Sequence, residues 1–199
     1  MDNWIFKYHE AIKKKEVIVG VWVRLSFKIL TTGLLNGEWE FNEKKANKAI
    51  KFIENFCHHS EGRSDLLHLE LWQKAIVSAI FGVMDKTTGY RQFREVFIIV
   101  ARKNGKTLFA AAIAAYMTYI DGEYGAKVYF LAPKLDQADL VYDAFYQIVQ
   151  SDDELDSITK KRRSDIYIKA FNTSVKKIAF NSKKSDGFNP QLVVNDEME

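Results

Sequence analysis

A short basic run in the middle of the chain has the residue types needed to bind a polyphosphate. Residues 102–107 read Arg-Lys-Asn-Gly-Lys-Thr and lie between an apolar run and a stretch with helical spacing. In that context, consecutive backbone N–H groups and the positive end of a helix can surround an anion. Gly105 would let the backbone approach closely, Lys106 would reach the β and γ phosphates, and the Thr107 hydroxyl would bind Mg²⁺. The sequence therefore predicts a phosphate loop, although Val100 replaces the usual first glycine; the alternative is a basic turn before a well-capped helix.

Two adjacent acidic residues near the end of the sequence could hold the metal and activate water. Asp196 and Glu197 follow the apolar run 192–194, with Asn195 interrupting that run. A carboxylate at the end of a buried strand can meet Mg²⁺ held beside a phosphate loop, and Asp196 would do so through water. Glu197 would be the general base that polarises the attacking water. Because acidic chain ends are common, this interpretation depends on its pairing with the phosphate loop.

Alternating strand and helix patterns surround these two motifs. Continuous apolar runs predict strands at 95–100, 127–131 and 192–194. The first of these is rich in β-branched residues, which is typical of a strand buried on both faces. Helical spacing predicts helices at 106–119 and 136–150. This alternation predicts an α/β domain with a largely parallel sheet flanked by helices.

Other segments complete the predicted organisation. Residues 166–169 and 177–180 predict two short strands joined by a polar turn, which is a hairpin. Toward the N-terminus, helical spacing predicts helices at 44–57 and 69–81, with Asn42 as N-cap of the former. We therefore expect a mostly helical appendage over the first 64 residues and the α/β domain over the remaining 135.

The composition is that of an ordinary globular protein. The chain has 199 residues, of which 28% are charged and 47% hydrophobic, with a net charge of +3. These values exclude a disordered tail, a collagen-like chain and a disulfide scaffold. The single cysteine, Cys57, cannot form an intramolecular disulfide, which favours a reducing compartment. The longest uncharged stretch around an apolar run, 107–120, has 14 residues, where about 18 are needed to span a bilayer, so we expect no membrane partner.

The form of the phosphate loop is characteristic of one family. The tripeptide at 93–95, Phe-Arg-Glu, is followed by an apolar run and then by the loop at 102–107. This arrangement resembles the large subunit of tailed-phage DNA-packaging terminases, in the HK97-like branch. Residues 69–73, 132–138 and 186–190 also resemble segments of that family, so the resemblance spans nearly the whole chain. It implies a P-loop NTPase fold, with Walker A at 102–107 and Walker B at the acidic pair.

The resemblance also implies roles for individual residues. Lys103 and Asn104 would bind ATP together with the other members of the loop. Arg102 would neutralise charge that develops on the γ-phosphoryl group, which suits a guanidinium, and the alternative is a solvated loop arginine. Gln73 matches the adenine-reading glutamine of the family, because an amide can pair with both donor and acceptor on the adenine edge. The alternative for Gln73 is a surface glutamine on a core helix.

Family members are motors that hydrolyse ATP to pump viral DNA into a preformed capsid. The resemblance therefore implies the ATPase domain of a packaging motor, acting in the host cytoplasm of an infected bacterium. The implied partners are double-stranded DNA, the portal protein, the small terminase subunit and sister subunits in a ring. Those proteins are longer and carry a C-terminal nuclease domain, whose acidic metal ligands have no counterpart after Glu197. We therefore expect a shortened chain, a fragment or a split gene product, with weak or no ATPase activity of its own.

Two other functions remain open from the residues. The chain could be a module that binds nucleotide weakly or serves as an interaction scaffold without turnover. It could also be another DNA-dependent P-loop ATPase such as a helicase, although helicases usually carry a second motor domain. The basic clusters at 160–163 and 183–184 could contact DNA phosphates, but a charge run is usually a solvated face. The histidines at 58, 59 and 68 do not have the spacing of a zinc site.

Overall fold

The computed structural model describes residues 3–59, 62–179 and 189–195. The chain folds as two compact units. One contains Met1–Glu54 and His68–Ile99, and the other contains Asn55–Leu67 and Val100–Glu199. The division after residue 64 stays a prediction. Among the described residues, no helix has both the length and the apolar character required to cross a membrane.

The first unit is mostly helical. Its elements are helix α1 (Trp4–Lys13), helix α2 (Val21–Leu35), strand β1 (Glu40–Phe41), helix α3 (Glu43–Phe56), helix α4 (Leu71–Gly82) and strand β2 (Val83–Met84). Strands β1 and β2 pair antiparallel. Two asparagines cap helices: Asn3 Oδ1 accepts from Ile5 N and Phe6 N in the first turn of α1, and Asn42 Oδ1 accepts from Lys45 N in the first turn of α3. Each cap satisfies an N–H group that has no partner inside its helix.

The core of this unit lies between α1, α2 and α4. It is a cluster of buried side chains, namely Ile5, Tyr8, Ile12, Phe27, Ala75 and Val83. The rings of Tyr8 and Phe27 meet edge to face, with centroids 4.7 Å apart. This contact joins α1 to α2. An edge-to-face pair of this type adds about 0.5–1.5 kcal/mol of stability beyond that of simple burial.

The second unit contains the sheet. Its elements are helix α5 (Lys106–Tyr119), strand β3 (Lys127–Ala132), helix α6 (Leu135–Gln150), helix α7 (Asp153–Ser157), strand β4 (Thr159–Lys161), strand β5 (Ile166–Ile168), a 3₁₀ turn (Lys169–Phe171), strand β6 (Thr173–Ala179) and strand β7 (Leu192–Asn195). The strand order is β4-β5-β6-β3-β7. Strand β3 is parallel to both β6 and β7, while β4, β5 and β6 pair antiparallel. The carboxyl ends of β3, β6 and β7 therefore lie at one edge of the sheet.

Helices α5 and α6 pack against each other and against the sheet. Alternate strand residues such as Val128, Phe130 and Val175 are fully buried. The Phe130 and Phe145 rings lie 5.8 Å apart between β3 and α6. Four alanines of α5 are fully buried, namely Ala111, Ala112, Ala114 and Ala115. Their small side chains let the backbone of this helix pack closely while it retains the highest helix propensity.

Most of the predicted elements are confirmed. The structure contains the two helices predicted before residue 82, the helices after the phosphate loop and after β3, and strands β3 and β7. The predicted hairpin is present as β5 and β6, but β5 pairs with residues 173–175 of the predicted turn, whereas 177–179 pair with β3. The predicted α/β class is confirmed, with helices on a sheet in which β6, β3 and β7 are parallel.

The strand predicted at 95–100 is wrong. In the structure this segment is irregular and pairs with no strand. Its side chains are not buried, and Ile99 is 97% exposed. The composition favours a strand, but a strand forms only where a neighbour supplies hydrogen bonds. Both edges of β3 are occupied, by β6 and β7, and among the described residues no strand lies beside the 95–100 run.

Candidate phosphate-binding site

In the loop before α5, residues with positive φ alternate with a residue of ordinary φ. Lys103 has a φ of 67° and Gly105 has a φ of 68°, while Asn104 between them does not share this conformation. Alternation of left-handed and right-handed residues turns successive N–H groups toward one side of the chain. That arrangement forms the concave anion-binding nest typical of phosphate loops. The residue types at 102–107 thus lie on a backbone whose shape suits an anion.

The side chain of Asn104 stabilises this loop from within. Its Nδ2 donates to the carbonyl oxygen of Ala101 at 3.0 Å and to that of Arg102 at 3.3 Å. These bonds occupy two carbonyl oxygens of the loop. A free carbonyl oxygen that faced the site would repel an anion. Nucleotide binding by Asn104 stays a prediction, and its hydrogen bonds give it a role in loop geometry. The Asn-Gly dipeptide, a turn signal, is the feature that could have predicted this role.

The start of α5 is open to an anion. Gly105 is the N-cap residue and has no side chain to cap the helix. Acidic residues are absent from the first turn, so nothing there opposes the positive helix end. Arg102 and Lys103 are exposed, and Lys106 and Thr107 are half-buried at the first two helical positions. Three cations therefore lie within five residues of one helix N-terminus.

Helix α5 runs antiparallel to β7. Beyond the C-terminal end of the helix, the Asp121 carbonyl accepts from Gln191 Nε2 at 3.2 Å. Gln191 immediately precedes β7, and its backbone N–H donates to Lys127 O at the start of β3. The opposite end of the helix, with Lys106, therefore points toward the carboxyl ends of β3 and β7. Ligands of open α/β sheets bind at this edge.

The predicted metal and general-base residues lie outside the described part of the chain. Strand β7 ends at Asn195, opposite Leu131 of β3. Asp196 and Glu197 come directly after that position and are not among the described residues. The structure thus places the strand that would carry them, and their roles stay predictions.

Gln73 lies in the first unit, near the start of α4. It is only 7% exposed. Its Oε1 accepts from Glu70 N at 2.9 Å, and the Glu70 side chain accepts in turn from the backbone of Gln73. This reciprocal pair is a capping box. Within the described residues only the amide oxygen is engaged in this way, so the amide nitrogen is the group left to contact a base.

The loop fits the phosphates of a nucleotide. A side chain placed at Gly105 would meet no atom within 4 Å, so the space beside its backbone is open. Thr107 supplies a hydroxyl oxygen, which is a hard ligand suited to Mg²⁺. Lys106 and Thr107 are therefore the described residues that could hold a nucleotide and its metal, with the N–H groups of the loop.

The basic clusters that could contact DNA phosphates lie in the second unit, outside the phosphate loop. Residues 160–161 belong to the edge strand β4, where Lys161 lies over the Tyr146 ring. The Arg162 guanidinium stacks on the Tyr167 ring at 3.5 Å. Residues 183–184 lie outside the described part of the chain. Within that part, no group of three or more histidine, cysteine or acidic side chains could hold a metal ion.

Comparisons with known proteins agree with this geometry. Residues 71–199 match the family model described as terminase large subunit, ATPase domain. The crystal structure of the HK97 bacteriophage large terminase is similar to this chain, with a TM-score of 0.65 and 25% sequence identity. That match covers 77% of this chain and 31% of the other, so the chain spans less than a third of that protein. A comparison with curated proteins found no match.

A phosphate loop that leads into a helix, beside a parallel sheet covered by helices, defines the P-loop NTPase class of fold. The matched region covers well over half of this chain and includes both the loop and β7. The chain belongs to the terminase large subunit family, as an ATPase domain.

Proposed function

We propose that this domain binds ATP with Mg²⁺ and hydrolyses it to drive viral DNA into a capsid. The observation that carries the proposal is the loop at 103–105, whose alternating backbone opens onto the uncapped N-terminus of α5. Family membership supports ATP as the polyphosphate.

Each loop residue has a chemical role in this proposal. Lys106 neutralises the β and γ phosphates, and the Thr107 hydroxyl is a ligand of Mg²⁺. Arg102 stabilises charge on the γ-phosphoryl group through its planar guanidinium. Asp196 holds the metal through water, and Glu197 accepts a proton from the attacking water. Gln73 reads the adenine edge with its amide.

The wider role follows the family. The partners are double-stranded DNA, the portal protein, the small terminase subunit and sister subunits of a ring, in the cytoplasm of an infected bacterium. DNA is the substrate that is moved, so hydrolysis by the complete motor should be stimulated by it.

A second candidate is nucleotide binding without turnover by this chain alone. The observation that favours it is the exposed, unpaired segment at 95–100, which leads directly into the loop. A loop anchored on only one side can bind an anion, but it holds the reacting groups less firmly than hydrolysis requires.

The test separates binding from hydrolysis. Binding of a fluorescent ATP analogue to the 199-residue chain is compared with that of its Lys106→Ala variant. The matched control is Lys127→Ala. Lys127 is an exposed lysine that also begins its element, but it lies at the amino end of β3, away from the carboxyl ends where the site is proposed. We expect Lys106→Ala to weaken binding at least tenfold and Lys127→Ala to leave it unchanged. Equal binding by all three proteins would refute the site.

Hydrolysis is then measured in a longer terminase that carries this segment. Glu197→Gln keeps the shape of the side chain but cannot accept a proton, so turnover should fall by roughly 10²–10⁴ while nucleotide binding persists. Asp196→Asn should weaken Mg²⁺-dependent binding as well. Full activity of the Glu197→Gln protein would remove that residue from the mechanism, and robust hydrolysis by the 199-residue chain would exclude binding without turnover.

A further inference from the structure

The outward side of helix α2 is an exposed apolar face. It consists of large side chains at helical spacing, preceded by one residue of the approach to the helix: Ile18, Val21, Trp22, Leu25 and Ile29. Trp22 is 76% exposed and Ile18 is 97% exposed. Single exposed apolar residues are ordinary, but a contiguous group of this size marks a surface that binds another molecule.

The same helix is held in place by its opposite side. Phe27 and Thr31 are buried there, and Phe27 meets the Tyr8 ring of α1. The Thr31 hydroxyl donates to Phe27 O at 2.8 Å. The core contacts that fix the helix are therefore independent of Trp22 and its neighbours, so folding of this unit does not explain why the outward face is apolar.

The charges on this helix have one sign. Arg24 and Lys28 are its only charged residues, and both are exposed. Neither forms an ion pair within the described part of the chain. The first turn carries no acidic residue, and the N-cap Gly20 provides no side-chain hydrogen bond. On α2 itself the apolar face is therefore bordered by positive charge alone, although Glu16 lies two residues before Ile18.

We propose that this face, residues 18–29, docks an acidic amphipathic helix of a partner protein. An apolar stripe on that helix would pack against Trp22, Leu25 and Ile29, which is how amphipathic helices occupy hydrophobic surfaces. Acidic residues beside the stripe would pair with Arg24 and Lys28 and would steer the encounter. A second copy of this chain fits less well, because its α2 would bring two more cations to the interface and no acidic residue to pair with Arg24 and Lys28. The proposal does not depend on the ATPase assignment.

The experiment uses the full 199-residue chain and two synthetic peptides. Both are labelled 18-residue helices with leucines on one side; one has glutamates on its flanks and the other has lysines at the same positions. Binding is followed by fluorescence anisotropy at low salt. We expect the acidic peptide to bind at least tenfold more tightly than the basic one. The Trp22→Ser variant should lose at least tenfold of that affinity.

Two further variants assign the effect to this surface. Replacing both cations, Arg24→Glu with Lys28→Glu, should reverse the preference between the two peptides. Leu140→Ser removes an exposed leucine from α6 and should change nothing. All of these side chains are exposed, so far-ultraviolet circular dichroism should match the parent chain and loss of folding can be separated from loss of docking.

Three outcomes would overturn the proposal. The first is equal affinity for the acidic and basic peptides, or affinity that survives Trp22→Ser. The second is concentration-dependent self-association that Trp22→Ser abolishes, which would make a second copy the occupant. The third is binding to phosphatidylglycerol vesicles without binding to the acidic peptide, which would assign the face to a lipid surface.

Discussion

The side-chain amide of Asn104 donates a hydrogen bond to the backbone oxygen of Ala101, three residues earlier, at 3.0 Å. It donates a second, longer bond to Arg102 O. The two bonds close the loop on itself without using any of its backbone N–H groups. The loop is therefore shaped before an anion arrives, which lowers the entropic cost of binding.

Removal of this amide should weaken nucleotide binding. Each hydrogen bond contributes about 0.5–1.5 kcal/mol, so losing both in Asn104→Ala should reduce affinity by at most roughly 5- to 160-fold. Asn104→Asp should be worse, because it loses the donor and adds a negative charge beside the phosphates. The affinities are measured with a fluorescent ATP analogue, and thermal stability should change little since the side chain is exposed. Parental affinity in the alanine variant would show that the loop does not need this support.

A second prediction concerns the backbone at Gly105. Its φ of 68° is in the left-handed region, where a side chain costs about 1–2 kcal/mol. Gly105→Ala should therefore lower the free energy of unfolding by about that amount and should also weaken nucleotide binding. Gly20→Ala is the matched control, because Gly20 also precedes a helix with no atom near a new side chain, but it has a φ of −66°. Chemical denaturation should show no comparable loss for that control, since alanine at a compatible φ stabilises by about 0.4–1 kcal/mol, and equal losses in both variants would contradict the prediction.

The capping box makes it possible to separate two roles of Gln73. Gln73→Glu keeps an oxygen that can accept from Glu70 N, but it removes the amide donor that would contact adenine. We expect its preference for ATP over GTP to fall while the hydrogen bond from Glu70 N persists, with some loss of stability because the new carboxylate is buried beside that of Glu70. Gln73→Ala should lose the preference and also about 0.5–2 kcal/mol of stability. Competition binding and thermal unfolding measure the two effects, and an unchanged preference in both variants would leave Gln73 with its structural role alone.

The single cysteine predicts how stability depends on pH. Burial raises the pKa of the Cys57 thiol to about 12, with a smaller contribution from the Asp152 charge. In the unfolded chain the thiol ionises near pH 8.5. Between these two values the unfolded state binds fewer protons than the folded state, so stability should fall as pH rises above about 8.5. Cys57→Ala should flatten this part of the curve, measured by urea unfolding at pH 8 and pH 10. The native thiol should also resist Ellman's reagent at pH 8, and rapid labelling there would be the contrary result.

Local signals were sufficient for much of the fold. Helix α3 was predicted within one residue at each end, because Asn42 caps it and its apolar residues recur at helical spacing. Two apolar runs around a polar segment predicted strands β5 and β6, but not that β5 pairs with residues 173–175 of that segment. The order of strands could not be predicted in this way, because residues of β3 pair with residues of β6 and β7 that lie 47 and 64 positions later in the chain.

The segment 95–100 shows where such reasoning fails. Its residues have high strand propensity, but propensity does not supply a neighbour to accept and donate hydrogen bonds. Prediction of the phosphate-binding site from residue types is limited in the same way, but to a smaller extent. The cations and glycine of the phosphate loop were identified from residue types, whereas the left-handed Lys103 and the bonds of Asn104 depend on a backbone that no single residue specifies.

The exposed run at 95–100 also affects how this chain will behave in the laboratory. Val96, Phe97, Ile98 and Ile99 form an uncharged stretch that is open to solvent, and short stretches of this type recruit copies of themselves into stacked β-structure. Arg94 and Glu95 precede this stretch, and Arg102 and Lys103 follow it. These charged residues oppose aggregation of the apolar segment that they flank. High salt screens that protection. Concentrated, high-salt preparations should therefore precipitate first, whereas dilute, low-salt buffers should preserve monodisperse samples.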